Sequence, residues 1–279
     1  MEKQFNGKAI YQPKGAAAEY SKWACNFYVG CSNSCTYCFN RRFGWGNVPT
    51  LKKCFRSKEH ALEIFEKELK GNWSELKKHC LFFSFSTDPM LPETMDLTIG
   101  AIKLCIYVGI KVKILTKRTD WIGKTNSKGD LSFRYHNEPF CTHELHRKSI
   151  AIGFTLTGND ELETGASTNA ERIEAMQKLH EAGFKTFASI EPVIDYERSL
   201  DMIKQTSQFC DLYKIGLQSG KKYDRKELRS FMEVIMIQLC RNNKIYFKDS
   251  LLKAVRIDRE NNLSLTKNCV GSDYDLFNQ

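Results

Sequence analysis

Cys31-Ser-Asn-Ser-Cys35-Thr-Tyr-Cys38 places three thiols at CxxxCxxC spacing with no fourth cysteine beside them. Thiolates select iron–sulfur clusters, zinc or Cu(I), and a cubane cluster is ordinarily held by four cysteines. Three would leave one iron with an open coordination position, and an open position implies chemistry, as it does in catalytic zinc centres. The competing reading is a structural zinc site completed by Cys25 or Cys54, although structural zinc ligands usually come as two separated pairs rather than a run of three. Disulfides are disfavoured: 11 cysteines is an odd number, and the first residues show no signal-peptide pattern.

The spacing, with an aromatic just before the last cysteine, resembles the cluster loop of radical S-adenosylmethionine (SAM) enzymes. Tyr11-Gln-Pro-Lys-Gly15, Glu19-Tyr20, Asn26-Phe-Tyr28 and Gly30-Cys31 are similar to the approach to that loop in proteins related to spore photoproduct lyase, and Ser86-Thr-Asp-Pro89, Pro92-Glu93 and Thr116-Lys117 to later motifs of the same relatives. Glu191-Pro192, Gly216-Leu-Gln-Ser-Gly220 and Tyr246-Phe-Lys-Asp249 resemble instead a neighbouring group of phage-encoded radical enzymes. The resemblance spans most of Met1–Leu251. It implies a 4Fe–4S cluster on Cys31, Cys35 and Cys38 whose open iron chelates the methionine moiety of SAM. It also implies reductive cleavage to a 5′-deoxyadenosyl radical that abstracts hydrogen from a substrate. One departure stands out. Where spore photoproduct lyase carries a hydrogen-donating cysteine, at the end of the second strand, this chain reads Ser86, so photoproduct repair itself is not carried over.

The resemblance gives roles to further residues. Tyr37, beside the last ligand, stacks on or borders the adenine, or else is a core aromatic. Ser86, Thr87 and Asp88 form a polar strand end suited to the methionine ammonium, with Asp88 alternatively capping a turn around Pro89. Lys117 pairs with the methionine carboxylate or a substrate phosphate, or is a solvated strand-end lysine. Thr155 and Thr157 are ribose candidates, and Gly216 joins them as a cofactor-site residue. Glu191, a carboxylate ending an apolar strand, needs a partner, which ribose hydroxyls or a cationic side chain would supply. Arg41, Arg42, Phe43 and Trp45 combine cationic and stacking groups that suit single-stranded or flipped-out nucleotides, unless the aromatics fold back on the barrel. No residue is singled out as catalytic. Cys25, Cys80, Cys105, Cys210 and Cys240 sit in apolar patterns as small hydrophobes. His143 and His146 lack the spacing of a zinc protease.

The elements that must position these groups alternate short β-branched or aromatic runs with amphipathic stretches, the pattern of βα units on a parallel sheet. Six strands are expected over 23–29, 80–85, 111–115, 149–156, 185–190 and 211–215. Helices lie between them, including 169–182 with Gly183 as its stop. The expected fold is α/β, a partial (β/α)6 radical-SAM barrel over 23–257 whose polar strand ends share one mouth. Residues 1–22 form an extension packed on the barrel, 258–279 a tail over one edge, and 119–147 an insertion. That insertion is expected to open with a short helix and hold a strand at 131–135. It reads as a lid or as a surface excursion.

A chain of 279 residues suits one such domain, and two smaller ones would also fit. The net charge of +9 favours polyanionic partners, of which nucleic acid is the commonest. No apolar run approaches the ~20 residues needed to span a bilayer. The expectation is a cytoplasmic, lyase-type radical enzyme serving DNA repair or nucleotide modification, with no membrane association and an electron donor such as flavodoxin or ferredoxin. A radical enzyme for a peptide or metabolite, and a non-catalytic zinc-stabilised nucleic-acid binder, are the alternatives.

Overall fold

The computed structural model describes residues 7–42, 50–126, 130–136, 138–239, 243–259 and 265–278. The chain begins with β1 (Ile10–Tyr11), β2 (Ala24–Cys25), β3 (Tyr28–Val29), β4 (Lys52–Lys53), α1 (Lys58–Gly71) and α2 (Trp73–His79). It continues through β5 (Leu81–Phe83), α3 (Met95–Tyr107), β6 (Val112–Thr116), β7 (Ile122–Thr125), β8 (Leu131–Tyr135), β9 (Glu138–Cys141) and α4 (Glu144–Ser149). Then come β10 (Ile150–Thr155), α5 (Asn169–Glu181), β11 (Lys185–Val193), α6 (Tyr196–Thr206), β12 (Leu212–Leu217), α7 (Arg225–Gln238), β13 (Lys244–Phe247) and α8 (Asp249–Val255).

One eight-stranded sheet carries the fold in the order β1-β2-β5-β6-β10-β11-β12-β13. Every pairing from β2 to β13 is parallel, and β1 joins β2 antiparallel. All six expected strands appear, and β13 is a further parallel one. The first expected strand, however, breaks at Asn26. Its Oδ1 accepts from the Phe85 and Ser86 amides, so it leaves the ladder to hold the loop after β5, and Tyr28–Val29 pairs separately with β4.

Side-chain alternation explains how the sheet is covered on both faces. Val112 and Ile114, Ile150, Ile152 and Phe154, Ile190 and Ile215 point outward into a core shared with helix residues such as Phe65, Met176 and Ile203. Ala24, Phe82, Ala151, Phe187, Leu212 and Tyr246 point to the concave face, where Tyr20 and Leu276 join them. α1, α5, α6 and α7 start at side-chain caps, with Ser57 accepting from the His60 amide, Thr168 from that of Glu171, Asp195 from that of Arg198 and Asp224 from that of Glu227. Gly183, at φ +89°, stops α5 as expected.

The same alternation puts Lys113 and Lys214 on the concave face, with Lys248 just past β13. All three grip the segment before β2: Lys248 Nζ donates to Ala16 O at 3.1 Å, Lys214 to Glu19 O at 2.7 Å and Lys113 to Tyr20 O at 3.4 Å. The Glu19 carboxylate accepts in return from Tyr246 Oη at 2.7 Å and the Asp249 amide at 2.9 Å. Residues 16–20 thus span the concave side, from the strand pair β1–β2 to the far edge at β13. Burial lowers the Lys214 ammonium well below the usual lysine range, and the Lys113 and Lys248 charges add to the effect. At the other end of the chain, Val270 donates to Ile245 O beside a bridge between Cys269 and Ile245.

Residues 119–147 form no opening helix. They fold as an antiparallel sheet, β7-β8-β9, with the expected strand at β8. Trp121, Leu131 and Phe133 bury themselves in the outer core and Phe133 meets Phe184, so the insertion lies on the helical layer rather than over the strand ends. No helix among the described residues is long and apolar enough to cross a membrane.

Gly153 faces Phe187 directly across β10–β11, and a Cβ there would overlap the Phe187 ring. Gly153→Ala is therefore expected to destabilise by about 1–3 kcal/mol, as overpacking does. The urea midpoint checks this, with Gly153→Ala/Phe187→Leu recovering part of the loss.

Candidate functional site

The cysteine loop leaves β3 through Gly30, at φ +90°, where a Cβ would overlap the Thr50 carbonyl; only glycine fits. The Gly30 amide donates to Ser86 O at 3.1 Å, Thr36 N to Leu162 O at 2.9 Å, and Gly165 N to Asn33 O at 3.1 Å. The loop is therefore clamped between the ends of the second and fourth parallel strands, β5 and β10. Cys31, Cys35 and Cys38 all carry free thiols. Burial pushes the Cys31 thiol up to about 12, with the Asp88 charge adding to it and the Asn33 and Asp88 amides opposing. Burial also raises Cys35, opposed by the Lys117 charge.

Asp88 does more than cap a turn. Its carboxylate accepts from Asn33 Nδ2 at 2.8 Å, the Met90 amide at 2.9 Å, Thr116 Oγ1 at 2.6 Å and the Lys117 amide at 2.7 Å. Those four bonds use the carboxylate's acceptor capacity, so Asp88 serves the site by tying the cysteine loop to the ends of β5 and β6. Ser86 has a bracing position too: its hydroxyl donates to Tyr28 O at 2.6 Å and its carbonyl accepts from Asn40 Nδ2 at 3.0 Å. Thr87 is different. Its buried Oγ1 has no partner among the described residues, and neither do Oδ1 of Asn33 and Oδ1 of Asn40.

Tyr37 donates its hydroxyl to Glu163, a carboxylate that the sequence reading did not single out. Glu163 and Arg172 form an ion pair in which both side chains are 0% exposed. Arg172 is itself fixed by donating to Ser167 O at 2.9 Å and Thr155 O at 2.5 Å. Lys117 Nζ lies 4.0 Å from Glu163 and 5.5 Å from the centre of the Tyr37 ring. Burial alone would lower its ammonium, but the nearby Cys35 and Glu163 outweigh that and raise it.

On the opposite wall Glu191 has the cationic partner its position demanded. Its carboxylate accepts from Lys248 Nζ at 2.9 and 3.0 Å and from Tyr20 Oη at 2.6 Å. Gly216 makes this possible, because a Cβ there would lie 2.7 Å from carbons of both Glu191 and Lys248. Thr155 is buried and offers its carbonyl to Arg172, while Thr157 Oγ1 accepts from the Asn159 amide at 3.3 Å within its own turn. Arg41 is committed to the loop: Nε donates to Cys35 O at 3.0 Å and Nη2 to Ser34 O at 3.2 Å. Arg42 ends the turn Phe39–Arg42. Its side chain, with Phe43, Trp45 and Cys240, falls outside the described residues.

The donor chemistry at the loop fits an iron–sulfur cluster. Three soft thiols neighbour one another in the order 31, 35, 38, and on the same stretch of chain Asn33 Oδ1 and Asn40 Oδ1 are buried acceptors without partners among the described residues. Such acceptors each cost about 1–3 kcal/mol unless an outside donor meets them. A fourth zinc ligand is not supplied by Cys25, which is 0% exposed in the outer core near Cys105, Glu68 and Cys54. Among the described residues, no three His, Cys, Asp or Glu side chains, those of Cys31, Cys35 and Cys38 included, are drawn into a closed group for a single metal ion, so the fit to a cluster rests on the type and spacing of the thiols.

No protein-family model matches the chain. An uncharacterized protein of Methanocaldococcus jannaschii is 24% identical over 263 residues, covering 90% of this chain and 91% of its own length. Among solved structures, spore photoproduct lyase complexed with dinucleoside spore photoproduct matches with a TM-score of 0.58 at 13% identity, covering 86% of this chain and 79% of the other. SuiB of Streptococcus suis, bound to S-adenosylmethionine, matches with a TM-score of 0.52 at 15% identity over 81% of this chain. The chain spans 47% of the length of SuiB. Both are radical SAM enzymes, and this chain has their fold, as its motifs led one to expect.

Asp88→Asn replaces one acceptor oxygen by a donor amide that faces either the Met90 and Thr116 donors or the Asn33 and Lys117 donors. A loss of about 1–3 kcal/mol in stability is expected from the unpaired groups, measurable by urea denaturation.

Proposed function

We propose that this chain is a radical SAM enzyme that carries a 4Fe–4S cluster on Cys31, Cys35 and Cys38 and abstracts hydrogen from a nucleic-acid component in a repair or modification step. The observation that supports it best is the cysteine loop itself, clamped to the end of β5 through Ser86 O, with three free thiols and the unpartnered acceptors of Asn33 and Asn40 along it. When bound, the cluster and SAM together supply a 5′-deoxyadenosyl radical; the chain's task is to orient and shield.

Asn33 Oδ1 and Asn40 Oδ1, buried acceptors without partners among the described residues, would be available to the methionine ammonium, with Thr87 at the same strand end. Lys117 takes the carboxylate, and Tyr37, its hydroxyl locked on Glu163, borders the adenine. Glu191, held by Lys248 and Tyr20, faces the ribose across the mouth with Gly216 at its side. Thr155 and Thr157 line the wall between. Tyr20, Phe82 and Phe85 pack against one another on the concave side and keep water from below. Ser86, whose hydroxyl is spent on Tyr28, offers no thiol for a last hydrogen transfer.

Two observations favour a nucleic-acid substrate: the net charge of +9, and the dinucleoside ligand of the spore photoproduct lyase that shares this fold. The reading places the protein in the cytoplasm and draws its electron from a flavodoxin or ferredoxin.

Anaerobic reconstitution with iron and sulfide is expected to give a brown protein that releases 5′-deoxyadenosine from SAM under dithionite, and Cys35→Ala is expected to abolish both. A colourless protein that takes up only zinc would sink the proposal. Binding to single-stranded oligonucleotides should weaken with salt, log K falling by about 0.7 per phosphate contact for each tenfold rise. Salt-independent or absent binding would redirect the substrate toward a peptide or metabolite.

A further inference from the structure

Beneath the cysteine loop lies a charge set whose buried pair, Glu163 and Arg172, makes no direct contact in the proposed cofactor binding. Glu163 and Arg172 are wholly buried, and the Lys117 side chain is only 18% exposed. Both cations face the buried Glu163 carboxylate; Arg172 also lies 3.5 Å from the half-exposed Asp160 and Lys117 is within reach of Asp88, so the set holds separable charges of both signs in a region of low effective dielectric. Cys35 sits within electrostatic reach of all three. Arg172 is anchored independently by the Thr155, Ser167 and Thr168 carbonyls, so it stays in place when either partner changes. Tyr37 bridges the set to the loop without adding charge.

We infer that Lys117, Glu163 and Arg172 set the reduction potential of the cluster, acting through the potential they impose at Cys35. The inference rests on the cluster assignment above and goes further by giving these side chains a tuning role. The step concerned is the uptake of one electron, from dithionite in vitro or a flavodoxin- or ferredoxin-class donor, by a cluster that three thiolates already make anionic. Buried positive charge favours that uptake and buried negative charge opposes it, and net charge is one of the levers that tune such clusters. Glu163 moderates the two cations, keeping the reduced cluster a strong enough reductant to cleave a sulfonium.

Because the two signs are separable, the test does not depend on activity. The reconstituted wild type and variants, matched for iron and sulfide content, are titrated with dithionite and followed by the electron paramagnetic resonance signal of the reduced cluster. Glu163→Gln is expected to shift the midpoint potential upward and Lys117→Met downward. Tyr37→Phe and the charge-keeping Lys117→Arg should stay near wild type. General damage to the loop would move Glu163→Gln and Lys117→Met the same way. Loaded clusters whose potentials do not move, or move in one direction, overturn this inference alone. A wild-type protein that takes up no cluster overturns it together with the reading it rests on.

Discussion

The Asp88 carboxylate is the constraint on which the site depends. It holds three segments at once, through Asn33 of the cysteine loop, Met90 after β5, and Thr116 with Lys117 at the end of β6. A buried carboxylate is stable only when its oxygens are met, and here protein donors meet all of them. The loop is thereby registered against the strand ends before any cofactor arrives. Gly30 allows the approach, and Ser86 closes it from the other side.

Around that knot the mouth has two walls of opposite design. The wall beneath the cysteines is a sealed electrostatic set, Glu163 and Arg172 with Lys117 and the Tyr37 hydroxyl. The far wall is held by Lys248 and Tyr20 on Glu191, in space that Gly216 leaves free. Both walls use ion pairs to orient groups rather than to add stability, since desolvation offsets much of what a buried pair gains.

The concave face below is closed by the chain's own beginning. Three lysines that would otherwise be stranded in the barrel donate to carbonyls of residues 16–20, and Glu19 answers with bonds to the β13 side. An open sheet has two edges with unpaired groups. Here side-chain hydrogen bonds across the gap take the place of the strand pairing that would close a full barrel.

The cysteine spacing, the alternating βα periods and the polar strand ends were legible in the sequence, because they depend on residues near one another in the chain. Three thiols within eight residues and the helix stop at Gly183 are local facts. Asp88 could be read as a turn cap, which it also is, since Met90 lies two residues away. Its larger role could not be read, because Asn33 and Lys117 reach it from 55 and 29 residues away. Glu163 carried no local signal either, sitting in a polar turn like any surface acid until the fold buried it against Arg172 and Tyr37, 126 residues distant. The expected helix at the start of the insertion failed for the same reason: tertiary packing of Trp121, Leu131 and Phe133 against the outer core favoured strands there. Sequence alone determined which groups the strand ends carry. Tertiary structure decided which of them are spent on one another and which, like Thr87, Asn33 and Asn40, keep an acceptor without a partner among the described residues, because hydrogen-bond saturation is a property of neighbours in space.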